Sequence, residues 1–208
     1  MNQFILYAFT AFITVFVIYM FIDSLEQVIS HIRHKIPLVP STWRLRRAVV
    51  DEIRTNFPDM HTAVDIGSGY GGMARLIARK CKMKVIGLEN MPFAATVSKI
   101  KDHITFTNGV KTIWCDAFEY LRNSDGFDIG IAYMGPGFNE DLHKYADKFQ
   151  VLITLVIPAD GLQPSRVVNL PRGRTRYGRH LYPHKLYIYD LRSGKNKNAP
   201  LCVGIFMT

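Results

Sequence analysis

Residues Val64 to Gly72 read Val-Asp-Ile-Gly-Ser-Gly-Tyr-Gly-Gly, and this stretch limits the possible folds more than any other in the chain. A short apolar run, Thr62 to Ile66, leads into glycines at alternating positions. Met73 to Lys80 then follows at helical spacing with no breaker. The order is strand, tight turn, helix. Glycine is required where the backbone takes positive φ or comes within contact distance of a ligand, and the amides of the next helix's first turn point into the space above. The expected product is a cradle of nucleotide size.

Two ligand chemistries fit the turn. Gly67, Gly69 and Gly72 satisfy G-x-G-x-x-G, which brings a helix N-terminus against a pyrophosphate. Asp65, two residues before the first glycine, extends the pattern to D-x-G-x-G-x-G. A carboxylate at the mouth of the turn repels a pyrophosphate and suits a ligand carrying an ammonium and a sulfonium. In this respect the segment resembles motif I of the class I S-adenosylmethionine-dependent methyltransferases. The resemblance implies a Rossmann-like α/β fold and S-adenosyl-L-methionine as cofactor, held by Asp65, Gly67, Ser68, Gly69 and Gly71, with no metal.

The 208 residues allow one domain of ordinary size plus an appendage. Phe4 to Ile22 is an uncharged apolar run, relieved only by Thr10 and Thr14. As a helix it extends about 28 Å, close to the hydrocarbon thickness of a bilayer. It lacks the basic start, short apolar stretch and small-residue cleavage site of a secretory signal. The expectation is a single-pass transmembrane helix. No Lys or Arg precedes it, whereas Arg33, Lys35, Arg44, Arg46 and Arg47 follow. The positive-inside rule then leaves the N-terminus outside and the domain in the cytoplasm, or on the matrix side in a eukaryotic host. The expected division is an anchor over 1–23, a juxtamembrane helix and linker over 24–42, and the catalytic domain over 43–208. His31 and His34, three apart on the juxtamembrane helix, lack further metal ligands nearby and read as interfacial polar residues. Cys81, Cys115 and Cys202 form no C-x-x-C and read as reduced core residues.

Pro37 and Pro40 end the juxtamembrane helix, and Ser41 or Thr42 can cap the next, Trp43 to Asn56. Its apolar positions Leu45, Val49, Val50 and Ile53 share one face, making it a flap over the cradle. Strands are expected at Lys84 to Leu88, Val110 to Trp114, Phe127 to Tyr133 and Val151 to Ile157, alternating with helices at Pro92 to Lys101, Ala117 to Leu121 and Asn139 to Phe149. Glu89 stands at the carboxyl end of the second strand, where an acid can accept both hydroxyl protons of a ribose. Leu186 to Leu191 and Leu201 to Met207 read as a terminal antiparallel hairpin, so the sheet is mostly parallel. A dinucleotide-dependent dehydrogenase needs a substrate domain besides, and the chain has no room for one.

The methyltransferase resemblance implies further roles. Asp116 falls where the family often sets an acid toward the adenine amino group, although capping of the helix at Ala117 explains it as well. The catalytic segment follows the fourth strand, where Tyr133 and Pro136 can present a phenol and exposed carbonyls to a substrate amine. Strand-end packing is the competing explanation. The Asn-Pro-Pro-aromatic motif of adenine and glutamine methyltransferases is absent. With its apolar run, its Pro37-Leu38-Val39-Pro40 linker, motif I, and Tyr133 three residues before Pro136, the chain is similar to a family of small membrane-anchored methyltransferases. Mitochondrial members methylate lysines of inner-membrane proteins, among them the ATP synthase c subunit and the adenine nucleotide translocase. The chain departs from that family in the apolar Leu155 and Val156. The implied activity is a protein-lysine N-methyltransferase with a membrane-protein substrate. A lipid or quinone methyltransferase and a non-catalytic cofactor-binding module are the alternatives.

The formal net charge is +9, and Pro158 to Lys197 carries nine Lys and Arg against Asp160 and Asp190. The basic, tyrosine-interleaved part of this stretch, residues 166–185, can contact anionic lipid, an acidic protein loop or RNA. Beside an anchor, the membrane is the favoured partner and nucleic acid is not.

Overall fold

A computed structural model of the chain describes residues 3–34, 41–135, 141–170, 174–175, 178–179 and 185–192. Pro136, the linker prolines, Cys202 and the expected strand Leu201 to Met207 lie outside these residues. The chain divides into two compact units, Met1–Val39 and Pro40–Thr208.

The first unit holds one continuous helix, α1, Gln3–His34. Its stretch Gln3–Leu25 is long and apolar enough to cross a membrane, and Phe4 to Ile22 expose their side chains on every face. The few hydroxyls of this stretch bond back along the helix. Thr10 Oγ1 donates to Leu6 O at 2.9 Å, Thr14 Oγ1 to Thr10 O at 2.9 Å, and Ser24 Oγ to Met20 O at 2.8 Å. Each hydroxyl proton is thereby satisfied without water.

The second unit begins with α2, Trp43–Asn56, whose first turn is capped by Thr42 Oγ1 accepting from Leu45 N at 3.3 Å. Its elements then run β1 Thr62–Ile66, α3 Gly72–Cys81, β2 Lys84–Glu89, α4 Pro92–Ile104, β3 Val110–Trp114, α5 Ala117–Arg122 and β4 Phe127–Ala132. A 3-10 helix, His143–Lys148, leads into β5 Phe149–Leu155. After it come β6 Arg166–Asn169, the two-residue pair β7 Arg174–Thr175 and β8 Gly178–Arg179, and β9 Lys185–Asp190. The main sheet has the order β3-β2-β1-β4-β5-β9-β6, with β1 to β5 parallel and β9 and β6 antiparallel.

Two expectations differ from this arrangement. The segment before β5 winds as a 3-10 helix and ends at Lys148, because Phe149 already pairs with Phe127 of β4. The antiparallel partner of β9 is β6, from the stretch read as a basic loop, so β9 has a neighbour on each side. Arg166 of β6 also makes an ion pair with Glu52 of α2, a buried acid, which ties that cation to the fold.

Alternate strand residues feed two cores. Ala63, Val85, Ile129, Ile131, Val151 and Ile153 face α2 and α3, meeting Leu45, Val49, Ile53 and Ile77. Val64, Ile66, Leu88 and Leu152 face the other way, toward Leu121, Leu142 and Tyr189. The starts of β1 and β4 are joined by Asp128, whose Oδ2 accepts from His61 N at 2.9 Å, Thr62 N at 2.8 Å and Thr62 Oγ1 at 3.0 Å. Burial pushes this carboxyl up, but the His61 and Thr62 donors outweigh it and hold it below its ordinary value. Its stabilisation is therefore present above the unfolded carboxylate pKa of about 3.9 and is lost as pH falls through the depressed folded value. Asp128→Ala is expected to lower stability by about 1–2 kcal/mol at pH 7, as read by denaturant unfolding. The difference from the parent protein should shrink in acid.

Candidate functional site

The sheet order reverses between β1 and β4, and the crevice of such a sheet opens at the carboxyl ends of its strands. The turn from β1 to α3 lines it. Gly67, Gly69 and Gly71 take φ of +68°, +53° and +69°, the left-handed region that side chains with a Cβ disfavour. Ser68 N donates to Leu88 O at 2.9 Å, fixing the turn to β2, and Gly71 N donates to Ser68 O at 2.9 Å, closing it. A Cβ on Gly71 would overlap Ser98 Oγ of α4, so this glycine is needed for packing as well as conformation.

Two buried carboxylates flank the turn. Asp65, 4% exposed, accepts from Ala74 N, the third residue of α3, at 3.2 Å. It thus serves as a cap for α3 supplied from the preceding strand. Glu89, 3% exposed, accepts from Gly69 N through Oε2 at 2.6 Å and from Met91 N through Oε1 at 2.9 Å. One side chain therefore holds both the glycine turn and the start of α4. Burial pushes the Asp65 carboxyl up to about 7. The Ala74 amide opposes this, the charge of Glu89 adds to it, and Arg46 and Arg75 oppose it again. Two acids this close and this dry call for a cationic or hydroxyl-bearing ligand. Of the remaining motif residues, Ser68 has a buried Oγ with no hydrogen-bond partner among the described residues, facing Gly87 of β2.

Three basic side chains near the turn carry roles that charge counting does not reveal. Arg46, expected as part of a topological flank, packs its guanidinium on Gly72, where a Cβ would overlap it, and donates from Nε to Ser41 Oγ at 2.9 Å. Burial and the neighbouring Arg75 lower its pKa, while Asp65 raises it. Arg75 meets Asp102 of α4 at 2.7 Å, each side chain 12% exposed, and its other terminal nitrogen donates to Tyr70 O. Asp102 also accepts from Thr112 Oγ1 of β3 at 2.8 Å, and Thr112 is bonded to Ser98 Oγ at 2.8 Å. Lys101 Nζ lies 5.0 Å from the centre of the Tyr70 ring. The outer half of the glycine turn is therefore held by α4.

The other anticipated residues are distributed around this centre. Asp116 is exposed and caps α5, its Oδ1 accepting from Glu119 N at 2.9 Å. It borders a depression of about 400 Å³ that Cys115, Glu119 and Tyr120 also line. Tyr133, just beyond β4, is half-buried against the core under α2 and α3, and burial raises its phenol pKa. Met134, which sequence reasoning passed over, sets its thioether methyl against Gly67. Cys81 and Cys115 are free thiols whose pKa burial pushes up, as inert core cysteines require.

No protein-family profile and no curated protein matches the sequence. Solved structures do. The chain is similar to an RNA methyltransferase from Salinibacter ruber in complex with S-adenosyl-L-homocysteine, with 19% identity and a TM-score of 0.57 over 78% of this chain and 97% of that one. It is also similar to a precorrin-6y C5,15-methyltransferase from Geobacter metallireducens, with 15% identity and a TM-score of 0.54 over 72% and 92%. MtNAS in complex with S-adenosylmethionine gives 18% identity and a TM-score of 0.55 over 71% and 62%. With its parallel strands, its reversal of order at β1 and β4 and its antiparallel β9, the Pro40–Thr208 unit has the Rossmann-like fold of the class I methyltransferases.

Proposed function

We propose that the chain is a membrane-anchored, S-adenosylmethionine-dependent methyltransferase acting on a lysine amine of a membrane or membrane-associated protein. The observation that carries this reading is the pair of buried carboxylates, Asp65 and Glu89, set around a left-handed glycine turn. The donor set fits the cofactor. Glu89 would accept from the ribose hydroxyls, Asp65 would balance the ammonium, and Asp116 would face the adenine side. Gly67, Ser68, Gly69 and Gly71 leave room for the nucleoside, and Arg46 is placed to meet a carboxylate at the start of α3. The anchor is α1, with the N-terminus outside and the domain on the cytoplasmic or matrix side.

When bound, S-adenosylmethionine supplies a methyl group on a sulfonium centre. The protein's task is then to align an amine with that methyl and to keep water out. A lysine amine has an ordinary pKa of about 10.4, and a dry site favours the neutral form that can attack. Tyr133, whose phenol burial holds protonated, orients the amine by hydrogen bonding and does not act as a base. Pro136 belongs to the same segment beyond β4 and shapes the amine's approach.

Asp65 makes cofactor binding depend on pH. Its folded pKa lies above the unfolded value, so the apo protein holds its proton until about pH 7, while a cationic ligand selects the carboxylate. Affinity for S-adenosylmethionine should therefore rise with pH up to about 7, by at most about tenfold per unit, and then level. Calorimetry at pH 6 in two buffers of different ionisation heat should detect proton release on binding. Asp65→Asn should remove it.

Radiolabelled S-adenosylmethionine incubated with membranes of the source organism tests the reaction. Alkali-stable label in a protein band, absent with Asp65→Ala and with Glu89→Ala, supports the lysine reading. Label in the organic extract moves the assignment to a lipid or quinone, which an anchored enzyme reaches as readily. Cofactor binding without any transfer would identify a non-catalytic module.

A further inference from the structure

The crevice end of the Pro40–Thr208 unit carries an exposed feature that the reaction does not use. Trp43, the first residue of α2, is 57% exposed. Arg44 and Arg47, on the same turn, are exposed as well, while Leu45 and Val49 point into the core. This turn lies at the crevice end, since Arg46, within it, packs on Gly72 at the start of α3. It contains no acidic residue. Three arginines at a helix N-terminus work against the helix dipole, an arrangement that an anionic surface would offset. An indole with an apolar body and one N–H donor is suited to the layer between lipid headgroups and acyl chains. The chain also enters the unit at this end, through residues 35–40 that follow α1.

We infer that the first turn of α2 docks on an anionic bilayer surface, with Trp43 in the interfacial layer and Arg44 and Arg47 on the headgroups, so that substrate enters the crevice from the membrane side. This rests on the reading of α1 as a membrane anchor. Lipid is the occupant favoured over a protein partner because the arginines are unopposed by acid on their own turn and the tether from the apolar helix arrives beside them.

The chain has two tryptophans, so Trp114→Phe leaves Trp43 as the sole indole emitter. The full chain carrying that change would be reconstituted into phosphatidylcholine vesicles with or without 30% phosphatidylglycerol, with doxyl-labelled lipid as quencher. Carbonate washing first establishes whether the protein is inserted. Extraction by carbonate would overturn the anchor reading and the docking inference with it. In inserted protein, at least twofold stronger quenching of Trp43 with phosphatidylglycerol, lost in Arg44→Glu/Arg47→Glu, is the expected result. Quenching of inserted protein that is weak, or indifferent to both the anionic lipid and the arginines, would overturn the docking inference alone. Shielding of Trp43 from iodide without quenching by lipid would do the same and point to a protein partner.

Discussion

With Glu89 replaced by alanine, affinity for S-adenosylmethionine is expected to fall by about a hundredfold or more, while the fold survives. The side chain already accepts two amides, Gly69 N at 2.6 Å and Met91 N at 2.9 Å, and in the proposed complex it also accepts ribose hydroxyls. A hydrogen bond to a charged group contributes about 1.5–3 kcal/mol, so the ribose contacts alone account for two decades or more. Calorimetric titration measures the affinity, and a thermal melt of the apo protein reports the fold. The exposed Glu119→Ala serves as the control, with affinity within twofold of the parent. A Glu89→Ala protein that binds the cofactor normally would remove Glu89 from the site.

Asp102→Ala is expected to have the largest effect on stability. It leaves the Arg75 guanidinium, 12% exposed, without its carboxylate, and it takes away the acceptor of Thr112 Oγ1. Breaking a buried pair by removing one partner costs about 3–5 kcal/mol, mostly because the remaining charge is stranded. Because Arg75 also donates to Tyr70 O, the glycine turn loosens too, and cofactor affinity should drop alongside stability. Arg75→Met/Asp102→Leu removes both charges together and should recover much of the stability but not the affinity. A loss under about 1 kcal/mol in Asp102→Ala would mean that water reaches Arg75 and that the pair is not buried in solution.

The elements nearest the crevice were the most legible in the sequence. β1 and β3 match their expected spans to the residue, since turn signals bound both closely. The helix expected to run from Asn139 to Phe149 gave way because Phe149 packs closely against Gly130 and joins the β5 ladder, a tertiary demand that local propensity does not encode. β6 was missed because four residues without clear alternation carry no period, and only β9 beside them makes them a strand. In the site, Asp65 and Glu89 were found by their place at strand ends, whereas their amide partners were not. Arg75 and Asp102 are 27 residues apart, and no spacing rule joins them. Arg46 was within reach: with Leu45, Val49 and Ile53 turned inward, the phase of α2 sets residue 46 on the shoulder of the buried face.

The double grip of Glu89 has a consequence for motion. The glycine turn and the start of α4 are separate in sequence, yet one carboxylate holds an amide from each, one per oxygen. If that side chain swings away, both amides are released in the same event. The two walls of the crevice should therefore breathe as a single unit, and hydrogen exchange at Gly69 and Met91 should show one shared opening rate. Occupancy of the crevice would slow the two amides equally, although only one of them belongs to the glycine motif.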